Sequence, residues 1–94
     1  MRLKSDDIIA TPPGLTIKEQ LEDKNMSQKE FASRMELSER HITKLINGEV
    51  ILTFDVAKKL ETVLGPSIQF WLNLENIYRE KIEIAKSEKH IEFS

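Results

Sequence analysis

"MSQKEFASRMELSERHITKLING", Met26 to Gly48, is the stretch that decides the fold. Ser27 and Glu30 have the spacing of a capping box, in which the serine oxygen accepts an N–H of the first turn. The glutamate side chain then reaches back to the N–H of the serine itself. Met26 and Phe31 take the two positions of a hydrophobic staple around that cap. Phe31, Ala32 and Met35 form a buried stripe, with Ala32 small enough for a second helix to cross closely. "MELS" turns the chain, Leu37 plugs the turn into the core, and Ser38 caps another helix. In that helix Ile42, Leu45 and Ile46 face inward. Glu39, Arg40, Thr43, Lys44 and Asn47 share the opposite face. Asn47-Gly48 supplies a left-handed stop.

Outward from this pair the apolar spacing stays at three and four, with no sustained alternation, so the whole chain reads as helical. A first helix is expected from about Leu15 or Thr16 to Lys24, with Ile17 and Leu21 on one face. Either Thr11 ahead of Pro12 or a Thr16–Glu19 capping box would start it. Gly14, Gly48 and Gly65 read as punctuation between helices. "EVIL", Glu49 to Leu52, is a short extended link. Thr53 caps a fourth helix carrying Val56, Ala57, Leu60, Val63 and Leu64. Ser67 caps a fifth, whose apolar residues Ile68, Trp71, Leu72, Leu74, Ile77, Tyr78, Ile82 and Ala85 cover more than one stripe. A last helix with surplus apolar surface predicts a second chain against it. Trp71 is assigned to the core. Leu74, Ile77, Tyr78 and Ile82 are the dimer candidates. The expected organisation is an N-terminal arm over 1–13, a helical domain over 14–86 and a frayed tail over 87–94.

Ninety-four residues suffice for one small domain, and a 39% hydrophobic content is enough to build its core. There is no cysteine, which removes disulfides and thiolate metal sites and fits a reducing cytoplasm. No apolar run approaches the roughly 20 residues needed to cross a bilayer, and the acidic start is unlike a signal peptide. The expectation is a soluble cytoplasmic domain. No cofactor is expected either. His41 lies between the two faces of its helix and His90 in the tail, so they make no metal site. Nothing resembles a nucleophile with its base, a phosphate-cradling loop or a paired-carboxylate cleft, and no catalysis is predicted. The net charge of −2 runs against the basic footprint usual for nucleic-acid binders. Distribution counts for more than the sum when the contact surface is small.

Two capped helices around a tight turn fit both a DNA-binding domain and an ordinary bundle with a solvated polar face. At this point resemblance adds to the pattern. "MSQKEFASRMELSERHITKLINGEVILTFDVAKKLETVLG" resembles the five-helix, lambda-repressor-like helix-turn-helix domain of the Cro and lambda-repressor superfamily, the XRE family. "PPGLTIKEQLEDKNMSQ" and "GPSIQFWLNLENIYRE" are similar to a narrower group, the HigA-type antitoxins, marked by a Pro-Gly before helix one and a "FWLNL…Y" helix after the fold. Pro12 replaces the histidine or asparagine usual before that Pro-Gly.

The resemblance implies DNA-binding roles position by position. Gln28 would bind a phosphate at the N-terminus of the second helix, helped by the free N–H groups and positive dipole there. Arg40 would donate a bidentate pair to guanine, and Lys44 would reach a guanine or a phosphate. Glu39 would accept from cytosine N4, which makes an acid tolerable in the groove. Thr43 belongs to the same reading face, while Ser38 and Asn47 would meet phosphates at the helix ends.

The function implied is a dimeric repressor on a palindromic operator in double-stranded DNA, with recognition helices about 34 Å apart. It would be the antitoxin of a toxin–antitoxin operon that it autoregulates, paired with a RelE-like ribonuclease toxin. The alternatives are the N-terminal DNA-binding domain of a longer XRE regulator and a protein-only interaction module on the same fold.

Overall fold

The computed structural model describes residues 11–93, with side chains described over 11–87. Most of the expected arm, the side chain of His90 and the end of the tail therefore lie outside the described residues. Five helices follow in order: α1 (Pro13–Asp23), α2 (Gln28–Met35), α3 (Glu39–Ile46), α4 (Phe54–Leu64) and α5 (Ile68–Phe93), with no strand among the described residues. α1 packs on α3 and α5, α2 on α3 and α4, and α4 most extensively on α5.

The core is a single cluster in which Ile17, Phe31, Met35, Ile42, Leu60 and Trp71 are almost wholly buried. Met26 and Leu37 pack against it from the two turns around α2. Trp71 is fully buried as expected, and its indole N–H donates to the Pro66 carbonyl at 3.1 Å. That bond satisfies the one polar group this side chain brings into the core.

The caps set the helix starts. Ser27, Ser38, Thr53 and Ser67 each accept an N–H three residues on, from Glu30, His41, Val56 and Phe70. Such caps are worth about 1 kcal/mol apiece. The reciprocal half of the capping box is not formed. The Glu30 carboxylate turns forward to Arg34, accepting from its Nε at 3.0 Å, because the i,i+4 guanidinium offers a charged partner.

The start of α1 differs from expectation. Neither threonine caps it: Pro12 is the N-cap residue without a side-chain bond, and Pro13 opens the helix. A proline in the first turn lacks only an N–H that the helix does not use, and its fixed φ is already helical. Gly14 is thus no punctuation but the second residue of α1, buried against α3. A methyl group built on it would run into the backbone of Ile46.

Three helices end alike. Asn25, Glu36 and Gly48 have φ of 52°, 58° and 75°. The next N–H in each case folds back five residues: Met26 to Leu21, Leu37 to Ala32, and Glu49 to Lys44. These are Schellman closures, which satisfy carbonyls at the helix end and reverse the chain. At the far end α5 runs to Phe93, into the segment expected from sequence as a frayed tail. "SEKHIEF" holds neither glycine nor proline and is rich in good helix formers, so nothing in it breaks the helix.

Candidate nucleic-acid interface

α3 is eight residues long, and its two faces separate cleanly. Ile42, Leu45 and Ile46 are buried. Glu39, Arg40, Thr43 and Asn47 are exposed and Lys44 is half-buried, and at 100° per residue these five fill one arc opposite the core. His41 is half-buried between the faces. Among the described residues neither Arg40 nor Lys44 is in an ion pair.

The polar groups around them have unequal freedom. The Thr43 hydroxyl donates to the Glu39 carbonyl at 3.0 Å, so its oxygen can act outward only as an acceptor. The Asn47 amide nitrogen donates to Glu49 at 3.4 Å, which orients the side chain toward the end of α3. Ser38 caps with its oxygen lone pair and keeps a proton to donate. Capping and an outward contact are compatible at this residue. Gln28 is exposed at the first position of α2. The Glu30 N–H is taken by Ser27, and those of Gln28 and Lys29 lie at the open helix end, where an anion is favoured.

The structure brings the α3 residues onto one surface and divides the dimer candidates. Tyr78 is only 8% exposed, and its ring lies under Gly48, where an added Cβ would come within 2.7 Å of the hydroxyl. It is a packing residue of its own chain, which corrects its assignment to an intermolecular face. Ile82 is half-buried one turn further along the same side. The outward stripe instead joins Phe70, Ile77 and Ile84, 40%, 49% and 46% exposed, with half-buried Leu74 beside them and exposed Lys81 among them. Periodicity alone showed α5 to be apolar on two sides without telling which side turned inward.

Sequence reasoning also missed Glu75 and Arg79. Glu75 is 5% exposed. Its Oε2 accepts from the Leu52 N–H at 3.2 Å and from Arg79 Nε at 2.7 Å. Arg79 Nη2 donates to the carbonyls of Gly48 and Val50 at 3.3 and 3.0 Å. The available signal was a carboxylate in line with Trp71, Tyr78 and Ile82, with an arginine four residues later. Among the described residues no group of histidine, aspartate or glutamate is placed to hold a metal ion. No described helix is long and apolar enough to cross a membrane.

Two capped helices around a tight turn, the second with a polar face carrying Arg40 and Lys44, define a helix-turn-helix domain. The Helix-turn-helix family model matches residues 17–71, more than half of the chain. The chain belongs to this helix-turn-helix family, of XRE type, and has HigA antitoxin homologues in both sequence and structure. It is 39% identical over 82 residues to the uncharacterized HTH-type transcriptional regulator YddM of Escherichia coli K12, covering 87% of this chain and 83% of that one. It is 35% identical over 75 residues to antitoxin HigA-1 of Vibrio cholerae, covering 70% of each. Among solved structures, an addiction module antidote protein of a HigA family from Coxiella burnetii superposes with a TM-score of 0.78 at 31% identity. That match covers 90% of this chain and 94% of the other. A protein from Nostoc punctiforme, described as an antidote protein of a plasmid maintenance system, gives 0.80 at 29% identity over 85% and 88%.

Proposed function

We propose that this protein is a dimeric, sequence-specific repressor that reads a palindromic operator with α3. We further assign it the role of a HigA-type antitoxin that autoregulates its operon and neutralises a RelE-like ribonuclease toxin. The observation that carries the DNA reading is the exposed arc of α3, with Arg40 and Lys44 outside any described ion pair. The antitoxin role rests on the HigA relatives. Its assay is relief of a neighbouring gene product's growth arrest on co-expression.

Dimerisation is assigned to the outward stripe of α5. Phe70 and Ile84 lie seven residues on either side of Ile77. A second copy turned end for end would therefore set Ile77 on Ile77 and Phe70 on Ile84. A two-fold interface requires this kind of self-complementary patch. Ile77→Glu would bring two like charges together at the centre of the seam, while changing a residue half open to solvent in the single chain. Sedimentation should show dimer affinity weakened in favour of monomer by about a hundredfold or more, with helicity kept. A dimer of unchanged affinity would remove α5 from the interface.

Salt dependence tests the DNA reading itself. With Arg40 and Lys44 the cations of the α3 arc in each protomer of the proposed dimer, log affinity against log salt should fall with a slope of about −2 to −4. A flat line, or no binding at low salt, would leave a protein-only module on the same fold.

A further inference from the structure

α3 is not joined to α5 by apolar packing alone. The segment just beyond its C-cap Asn47, Gly48 to Leu52, is gripped through its main chain by adjacent turns of α5. Arg79 holds the carbonyls of Gly48 and Val50, Glu75 holds the N–H of Leu52, and the two side chains are locked to each other. Tyr78 closes the space beneath Gly48. The opposite side of these same turns exposes Ile77.

We propose that Glu75 and Arg79 are positioning residues for operator recognition. By clamping the end of the recognition helix to α5, they fix its angle to the dimer seam and so set the half-site spacing the dimer accepts. This inference rests on the dimeric DNA-binding reading above. The grip needs a planar fork. One guanidinium reaches a carboxylate and two carbonyls together, whereas an ammonium on a flexible stem cannot hold all three in one geometry.

The test uses a duplex selected by the wild-type chain from a randomised pool, with versions lengthened or shortened by one base pair at the centre. Each change turns the half-sites by about 35° relative to each other. The wild-type chain should lose about tenfold or more in affinity on either change. Arg79→Gln should lose only about two- to threefold, with its affinity for an isolated half-site unaltered and Arg79→Lys falling between. A purely structural role would lower binding to every duplex by the same factor and leave the spacing penalty intact, and that result would overturn the proposal. Glu75→Gln, which keeps the size of the side chain, repeats the measurement should Arg79→Gln fail to fold. A wild-type chain that binds the duplex but is indifferent to spacing would also overturn it, with DNA binding standing. A chain that binds no duplex would sink the reading beneath it.

Discussion

Arg40→Ala is expected to lower operator affinity by roughly a thousandfold while leaving helicity, melting temperature and dimerisation unchanged. A bidentate arginine–guanine pair is worth about 1–3 kcal/mol of discrimination, and a two-fold dimer makes it twice. The combined loss of about 4 kcal/mol corresponds to that factor. The structure makes the substitution clean. Arg40 is exposed, outside any described ion pair, and carries none of the core. Competition shift assays at fixed salt against the operator and an unrelated duplex would measure it. The loss should appear on the operator and be slight on the unrelated DNA, since a base contact confers discrimination. Lys44→Ala, on a phosphate, would instead weaken both and flatten the salt slope by about one per protomer. Retained operator affinity in the Arg40 variant would take that residue out of the groove.

Gly14→Ala is the second large effect, and it acts on the fold. Alanine favours a helix over glycine by about 1 kcal/mol, so on propensity alone the change should stabilise α1. The structure predicts the reverse, because the new methyl would overlap the Ile46 main chain. Neither helix can yield cheaply. Ile17 and Leu21 bind α1 to the core, Ile42 and Leu45 bind α3, and all four are buried. A backbone shift of this kind costs about 3 kcal/mol at the upper end of overpacking, which for a domain of this size is a fall in melting temperature of roughly 10–20 °C. Thermal unfolding by circular dichroism decides it. An unchanged or raised melting temperature would mean that α1 and α3 do not meet at Gly14.

These two residues show what can be read from the chain alone. The arc containing Arg40 was legible because α3 has a strict helical spacing, a serine cap and a glycine stop, all of which are local. The caps of α2, α4 and α5 and the burial of Trp71 were legible for the same reason. Gly14 was not, because the demand on it comes from the Ile46 carbonyl, which no local pattern announces. The start of α1 was misread because two threonines offered caps that Pro13 made unnecessary. Tyr78 was placed on the wrong side because α5 carries apolar residues around much of its circumference, and only packing selects the inner face. Glu75 escaped because a single carboxylate on an apolar stripe has no partner in sequence until the α3–α4 link folds across it.

The grip of Glu75 and Arg79 on main-chain atoms has an evolutionary consequence. It holds the recognition helix without using any side chain of the loop or of the reading face. Glu39, Arg40, Thr43 and Asn47 are exposed and sit outside the core. Substitutions at such surface positions usually change stability by no more than about 0.5 kcal/mol. On the operator reading proposed above, DNA preference can drift at these positions without loss of the fold. Duplicated copies of this gene could diverge toward different DNA sequences one exposed residue at a time, each intermediate still folding.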